Sequence, residues 1–344
     1  MYKISIIIPV FNAGEFLKRT IEGIIGQTIG FENIELILID DCSSDNSREI
    51  IEEYSKKYEN IKPIFLEKNS GLASYPRNQG IDKATAEYMM FLDSDDEIFD
   101  DYCEVLYEKI TSYGVDIVNC SNSSKLNNVV YAPNSIKKVS TEDVVVDNAD
   151  KLFLKHTAWG NIYKSSLIKD NNIKFPMTMY EDGVFSIECL LNTDKDIIRL
   201  PDYPGYIYLI ENEDSFTHKA GLRTIKGFID GYKLCLDVLE KSDCGRDTKE
   251  RLVSSFINMA IFILIKLDDL DKGIQMLHDF EKSLDYNITL PSKPLNMVNN
   301  KIINGQFGQA KLILKSMAVF YNNKKIRNRI FIKYGNLVPL ETLK

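Results

Sequence analysis

Three carboxylates crowd into "FLDSDDEIFD", where Asp93, Asp95 and Asp96 fall within four positions directly behind the apolar run "YMMF". Two carboxylates about 4 Å apart repel by roughly 4 kcal/mol at the effective dielectric of a protein surface, so the cluster needs a compensating cation or a cap. Asp40 and Asp41 end a second apolar run, "IELILID", and Glu181 with Asp182 open a helical stretch, "EDGVFSIECLL". An Asp-x-Asp turn behind a strand sends two hard oxygen donors toward one point. Mg²⁺ and Mn²⁺ prefer such donors and share their coordination sphere with substrate phosphates. A solvated loop with Asp95 or Asp96 capping the next helix is the plainer alternative.

The elements that must position these groups alternate between strand and helix. "ISIIIPV" is a continuous β-branched run suited to a buried parallel strand. Leu17, Ile21, Ile24, Ile25 and Thr28 then recur at helical spacing. "IELILID" and "IKPIFL" read as further strands, with the capped amphipathic helix "SSDNSREIIEEYSKKY" between them. "GLASYPRNQGIDKAT" gives a short helix and "EYMMFLD" a fourth strand. Four strands joined by three crossovers predict a doubly wound, mostly parallel α/β sheet with helices on both faces. Ligands of such sheets bind beyond the carboxyl ends of the strands. Those ends carry Pro9, Phe11 and Asn12, then Asp40 and Asp41, then Asn69, then Asp93 and Asp95.

Downstream the pattern loosens. A helix over "FDDYCEVLYEKITSYG", a strand "VDIVNC", a polar loop, "WGNIYK", the helix from Glu181 and the strands "IIRL" and "YIYLI" are expected before a run of helices. The expected organisation is an α/β domain in two halves, 1–98 and 99–220, followed by a helical C-terminal domain over 221–344.

A dinucleotide site needs a glycine-rich turn after the first strand, and "VFNAGEF" supplies one glycine; no GxxxxGK[ST] occurs either. What remains is a nucleotide whose diphosphate is held by a metal. The six cysteines have no CxxC spacing and read as free thiols of a reducing cytosol. The start lacks a signal-peptide pattern, and the stretch from Leu252 is too short and polar for a membrane span. The net charge of −8 argues against nucleic acid as a partner, yet from Lys301 onward nine Lys and Arg face one acid, Glu341, so the first 300 residues carry −16.

The segments "SIIIPVFNAGEFLKRTIEGIIGQT", "IELILIDDCSSDNS", "NSGLASYPRNQGI", "AEYMMFLDSDD" and "MYEDGVFSIECLL" together resemble the inverting glycosyltransferases of family 2, which have the GT-A fold. Within that family the "NSG…PRN" segment and the helical C-terminal region are most similar to the enzymes that glycosylate the poly(ribitol phosphate) of wall teichoic acid. The resemblance implies a UDP-sugar donor, N-acetylglucosamine foremost, and Mn²⁺ or Mg²⁺ as cofactor. It implies that Pro9, Phe11 and Asn12 wall the uracil pocket, that Asp41 bonds the base, and that Asn69, Arg77 and Ser94 lie on the nucleotide side. Asp93 would contact ribose or metal, Asp95 would ligate the metal, His218 would add a third ligand, and Asp182 would be the catalytic base. Inversion needs a base opposite the leaving group, and a helix N-terminus favours the carboxylate form that a base requires. Without the resemblance, Asp182 reads as an N-cap. Cys42 departs from the family's usual "DDGS" glycine and puts the local turn geometry in question. The family's processive Gln-x-x-Arg-Trp motif is missing: "KHTA" precedes the single tryptophan, Trp159, which is expected to pack rather than stack on sugar.

The expectation is therefore a non-processive, cytoplasmic glycosyltransferase acting on a cell-surface polymer, working at or near the inner face of the membrane. Other surface polysaccharides are alternative acceptors, and a catalytically silent binding protein is the competing class. The basic end, with Lys324, Lys325, Arg327 and Arg329, is expected to attract an anionic polymer or an anionic membrane surface. The last helices are expected to support a homo-oligomer. His156 and His278 read as surface residues.

Overall fold

The run Ile4–Val10 forms β1, and its neighbours explain why it has no polar face: parallel strands β2 (Ile34–Asp40) and β4 (Tyr88–Phe91) flank it. Ile4, Ile6, Ile7 and Ile8 are all at most 1% exposed. Each such side chain is worth roughly 1.5–3 kcal/mol of burial, which is why both faces of this strand are apolar. The computed structural model describes residues 1–343 except 127, 134, 148–149, 155, 211–220, 291 and 323–336.

Between these strands run α1 (Leu17–Ile25), α2 (Ser47–Lys57), β3 (Ile61–Phe65) and α3 (Ser74–Lys83). There follow β5 (Glu97–Ile98), α4 (Tyr102–Tyr113), β6 (Ile117–Cys120), β7 (Asn122–Leu126), β8 (Val129–Pro133), β9 (Val144–Val146), β10 (Asn161–Lys164) and α5 (Ser165–Asp170). Next come α6 (Glu181–Leu191), β11 (Ile197–Leu200) and β12 (Tyr206–Leu209). The helices α7 (Leu222–Glu240), α8 (Arg246–Leu264), α9 (Leu270–Lys282), α10 (Lys293–Ile303) and α11 (Phe307–Asn322) precede a last strand, β13 (Leu337–Pro339).

Among the described residues the main sheet has eight strands in the order β3-β2-β1-β4-β10-β6-β11-β9. The order reverses between β1 and β4, because β2 and β3 build outward on one side and β4 lies on the other. That is the switch point at which open α/β sheets bind ligands. β10 pairs antiparallel with both β4 and β6, so one sheet runs through both halves expected on either side of residue 98. A second sheet has the order β13-β8-β7-β12-β5.

The segment after Cys120, expected to be a polar loop, is instead the hairpin β7–β8. Its Ser, Asn and Lys residues carry little strand propensity, and the pairing to β12 supplies what propensity does not. The chain's end also differs from expectation: β13 pairs with β8, so the range 221–344 is not helical throughout.

Two units emerge: a sheet unit of Met1–Met177, Phe185–Asn212 and Asn336–Lys344, and a helical unit of Thr178–Val184 and Glu213–Gly335. In the helical unit the apolar stretch from Leu252 lies within α8, with Val253, Ile257, Ala260, Ile261 and Leu264 fully buried. Among the described residues no helix is long and apolar enough to cross a membrane.

Gly80 shows how α3 is positioned. A Cβ there would sit 2.4 Å from Ile7 Cγ2 and 3.1 Å from Ile39 Cδ1, so the helix rides directly on β1 and β2. Arg77 stands three residues earlier, on the same helix face, and is 4% exposed. A crossover helix begins at the carboxyl end of the strand before it, which puts Arg77 at the rim.

Candidate active site

The site is built from the turns at the carboxyl ends of β1, β2, β3 and β4. After β1, Phe11 is 51% exposed and Asn12 takes a positive φ of 49°. The turn after β2 holds it there: Asn12 Oδ1 accepts from Ser44 N at 2.8 Å, and Asn12 N donates to Ser43 Oγ at 3.0 Å. Asp45 and Ser47 continue the clasp, accepting from Gly14 N and Ala13 N at 2.9 Å each. Pro9 lies half-buried in β1 beneath this turn.

Asp41 is 4% exposed and binds the segment after β3. Its Oδ1 accepts from Ser70 N at 2.9 Å, and its Oδ2 accepts from Ser70 Oγ at 2.8 Å and Asn69 Nδ2 at 3.2 Å. Burial, the largest influence, raises the Asp41 pKa above the ordinary range; the Ser70 bonds oppose it and the neighbouring Asp40 charge adds to it. Asn69 and Asp41 are thus brought together, and the carboxylate's first visible work is to hold the next turn.

Cys42 adopts φ 60°, the left-handed conformation that glycine holds at little cost, so the departure from glycine leaves the turn intact under backbone strain. Its thiol donates to Glu67 O at 3.7 Å. Cys42→Gly is expected to be neutral or to stabilise by up to about 1 kcal/mol, and the β-branched Cys42→Val to destabilise by about 1–2 kcal/mol. Urea unfolding of both variants checks the order; a more stable valine variant would overturn it.

The crowded carboxylates are resolved one by one. Asp93, 30% exposed, meets the buried Arg77, whose Nη2 is 2.6 Å from Oδ1. Phe175 lies under the guanidinium, 5.3 Å from ring centre to Cζ. Near Asp95, Arg19 Nη2 donates to the backbone carbonyl at 3.3 Å while Arg19 Nε pairs with Glu97 at 2.7 Å. Asp96 turns inward, 1% exposed, where Tyr206 OH donates to Oδ2 at 2.5 Å and Leu209 N donates to Oδ1 at 2.8 Å. Burial first, then the charges of Asp93 and Asp95, hold the Asp96 carboxyl well above the usual carboxylate range. Thr20 Oγ1 lies 3.0 Å from both Ser94 O and Asp96 O, fastening the turn to α1.

The match of residues 5–166 to the family model described as "Glycosyl transferase family 2" decides between the nucleotide-binding classes that such a rim can serve. Residues 5–166 belong to glycosyl transferase family 2. The chain is 31% identical over 258 residues to a poly(ribitol-phosphate) beta-glucosyltransferase of Bacillus spizizenii, covering 74% of this chain and 40% of that one. It is 35% identical over 227 residues to the poly(ribitol-phosphate) beta-N-acetylglucosaminyltransferase TarP of Staphylococcus aureus, covering 62% and 65%. The chain thus spans between 40% and 65% of these relatives' length. The crystal structure of S. aureus TarS 1–349 in complex with UDP-GlcNAc superposes with a TM-score of 0.72 at 22% identity, covering 92% of this chain and 91% of that one. The fold is therefore the GT-A fold of family 2.

Within this family 2 domain Phe11, Asn12, Asp41, Asn69, Asp93, Ser94 and Asp95 stand on the turns that follow four strands, with Pro9 near the end of β1 and Arg77 in the first turn of α3. His218 lies outside the described residues, as do Lys324, Lys325, Arg327 and Arg329. Asp182 belongs to the helical unit, in the first turn of α6 beside Glu181. The preceding Tyr180 packs edge-on against Tyr232 at 4.8 Å and Phe256 at 5.5 Å, which fixes how this turn starts.

Among the described residues no three His, Cys, Asp or Glu side chains group to hold a metal ion. Asp93, 30% exposed, and Asp95 offer two carboxylates on one turn, the number by which Mg²⁺ is commonly held when substrate phosphates complete its sphere. The other two histidines, expected at the surface, are half-buried. His156 Nε2 bonds Leu152 O at 2.9 Å, with burial pushing its pKa down to about 4, and His278 Nδ1 bonds Ile302 O at 2.8 Å. Trp159 packs as expected, stacked on Tyr206 with ring centres 4.4 Å apart. Tyr206, Arg19 and Thr20 are the residues that sequence reasoning missed. No short motif surrounds them, and only the topology brings them to the turn.

Proposed function

We propose that this protein is a metal-dependent, inverting, non-processive glycosyltransferase that moves a sugar, N-acetylglucosamine foremost, from a UDP-sugar to a hydroxyl of a polyol-phosphate surface polymer. The observation that carries the reading is the pairing of Asp93, in the turn after β4, with the buried Arg77 at the β1/β4 switch point of a family 2 domain. The relatives named for poly(ribitol phosphate) support the acceptor class.

In this mechanism Asn12 and Asp41 border the base pocket, with Phe11 offering its exposed ring. Arg77 holds Asp93 by one carboxylate oxygen and leaves the other for ribose or metal. Asp93 and Asp95 would hold Mn²⁺ or Mg²⁺, which when bound supplies positive charge to the departing diphosphate. Asp182 takes the proton from the acceptor hydroxyl as that oxygen attacks the anomeric carbon from the side opposite UDP.

The test incubates purified protein with Mn²⁺, a panel of UDP-sugars and poly(ribitol phosphate). Acceptor-dependent UDP release, strongest with UDP-GlcNAc and lost in EDTA, is expected. Tight UDP-GlcNAc binding with no transfer to any polyol-phosphate polymer would move the protein to the silent class.

A further inference from the structure

The geometry points to Tyr206 as a positioning residue that sets the shape of the carboxylate turn, an assignment that rests on the metal-dependent reading above. Three sets of contacts lead there. First, the Tyr206 hydroxyl spans the turn: it donates to Asp96 Oδ2 at 2.5 Å and accepts from Asp93 N at 3.4 Å. Asp95 stands between those two anchor points. Second, the turn closes on itself through Asp96 N to Asp93 O at 3.2 Å, and the Tyr206 hydroxyl adds a second link between the same two residues, so the backbone that carries Asp95 is held from inside and from outside. Third, Tyr206 itself has little freedom. It is 0% exposed, its ring is stacked on Trp159 at an interplanar angle of 17°, and its strand is tied to the same carboxyl through Leu209 N.

The α1 side grips the turn by its carbonyl oxygens, at Ser94, Asp95 and Asp96. Arg77 holds the Asp93 carboxylate from α3, and β12 adds what neither helix supplies in these contacts, a single hydroxyl that bonds an amide at one end of the turn and a carboxyl at the other. Removing that oxygen leaves the ring, its stacking and its volume in place while releasing Asp93 N and one oxygen of Asp96. Asp93 then keeps its side-chain bond to Arg77 but loses the tie from its amide to the Asp96 carboxyl, and the position of Asp95 between them is no longer fixed from β12. The base pocket, held by Ser43, Ser44, Asn69 and Ser70, uses none of these bonds.

The experiment is calorimetric titration of UDP into the full chain, once with Mn²⁺ and once with EDTA. Tyr206→Phe is expected to weaken UDP binding in Mn²⁺ by about tenfold, the scale of a buried acceptor left without its partner, and by less than about twofold in EDTA. Asp96→Asn, which keeps an acceptor for Leu209 N but puts an amide against the hydroxyl, is expected to show the same metal-selective loss at about threefold. It decides the matter alone where Tyr206→Phe does not fold. A folded variant that retains the full Mn²⁺ gain, or loses affinity equally in both conditions, overturns the assignment. A wild-type protein that binds UDP no better with Mn²⁺ than with EDTA overturns the metal-dependent reading itself, and the assignment with it.

Discussion

Replacing Asp182 with asparagine is expected to lower acceptor-dependent transfer by about 10²–10⁴-fold while leaving UDP-sugar binding within about twofold of wild type. Asparagine keeps the size and shape of the side chain but cannot accept the proton of an attacking hydroxyl. The loss should therefore fall on kcat, because the groups proposed to border the nucleotide follow β1, β2, β3 and β4 and are not on α6. Glu181 is the natural control. It shares the first turn but points about 100° away around the helix, so Glu181→Gln is expected to cost less than about tenfold. Steady-state rates with saturating donor and varied acceptor separate the two. Normal transfer by Asp182→Asn would remove it as the base, and a dead Glu181→Gln beside it would transfer the role. Loss of donor binding in Asp182→Asn would instead assign this carboxylate to the nucleotide.

How much of this was legible beforehand depends on whether a residue acts through local pattern or through topology. β1 and β2 announce themselves, since an unbroken β-branched run has no other stable home than a sheet covered on both faces. The carboxyl-end residues follow once the strands are placed, because strand direction puts Asn12, Asp41 and Asp93 on one rim. The distinct fates of Asp93, Asp95 and Asp96 do not follow. All three are the same residue type in one turn, and only the approach of Arg77 and Tyr206 from 16 and 110 positions away separates them. The hairpin β7–β8 was hidden for a related reason. Its Ser and Asn residues satisfy their strand by pairing across to β12, which no window of local sequence contains. Glycine at 42 would have signalled its turn directly, whereas cysteine conceals a positive φ in the turn that Ser43 N closes onto the Asp40 carboxylate.

The helical unit carries a charge problem of its own, with a large expected effect on stability. Glu281, near the end of α9, is 6% exposed, and neither of its carboxyl oxygens has a hydrogen-bond partner. Burial alone pushes its pKa up to about 8. The folded chain thus keeps a proton that the unfolded chain releases near the ordinary value of 4.5. Wherever the folded state binds more protons than the unfolded one, stability falls as pH rises. The contribution is therefore complete below about pH 4.5, declines across the interval to about pH 8, and is gone above it. A displacement of this size corresponds to on the order of a few kcal/mol. Glu281→Gln should remove that decline, and Glu281→Met should make the unit more stable than wild type at pH 8, since a buried uncompensated charge costs more than an apolar side chain of similar volume. Hydrogen exchange of the α9 amides in the whole chain at pH 5, 6.5 and 8 follows the unit that contains the residue. Equal pH dependence in wild type and Glu281→Gln would mean that the ionised carboxylate is accommodated, by water or by rearrangement of α9, at no cost to the fold.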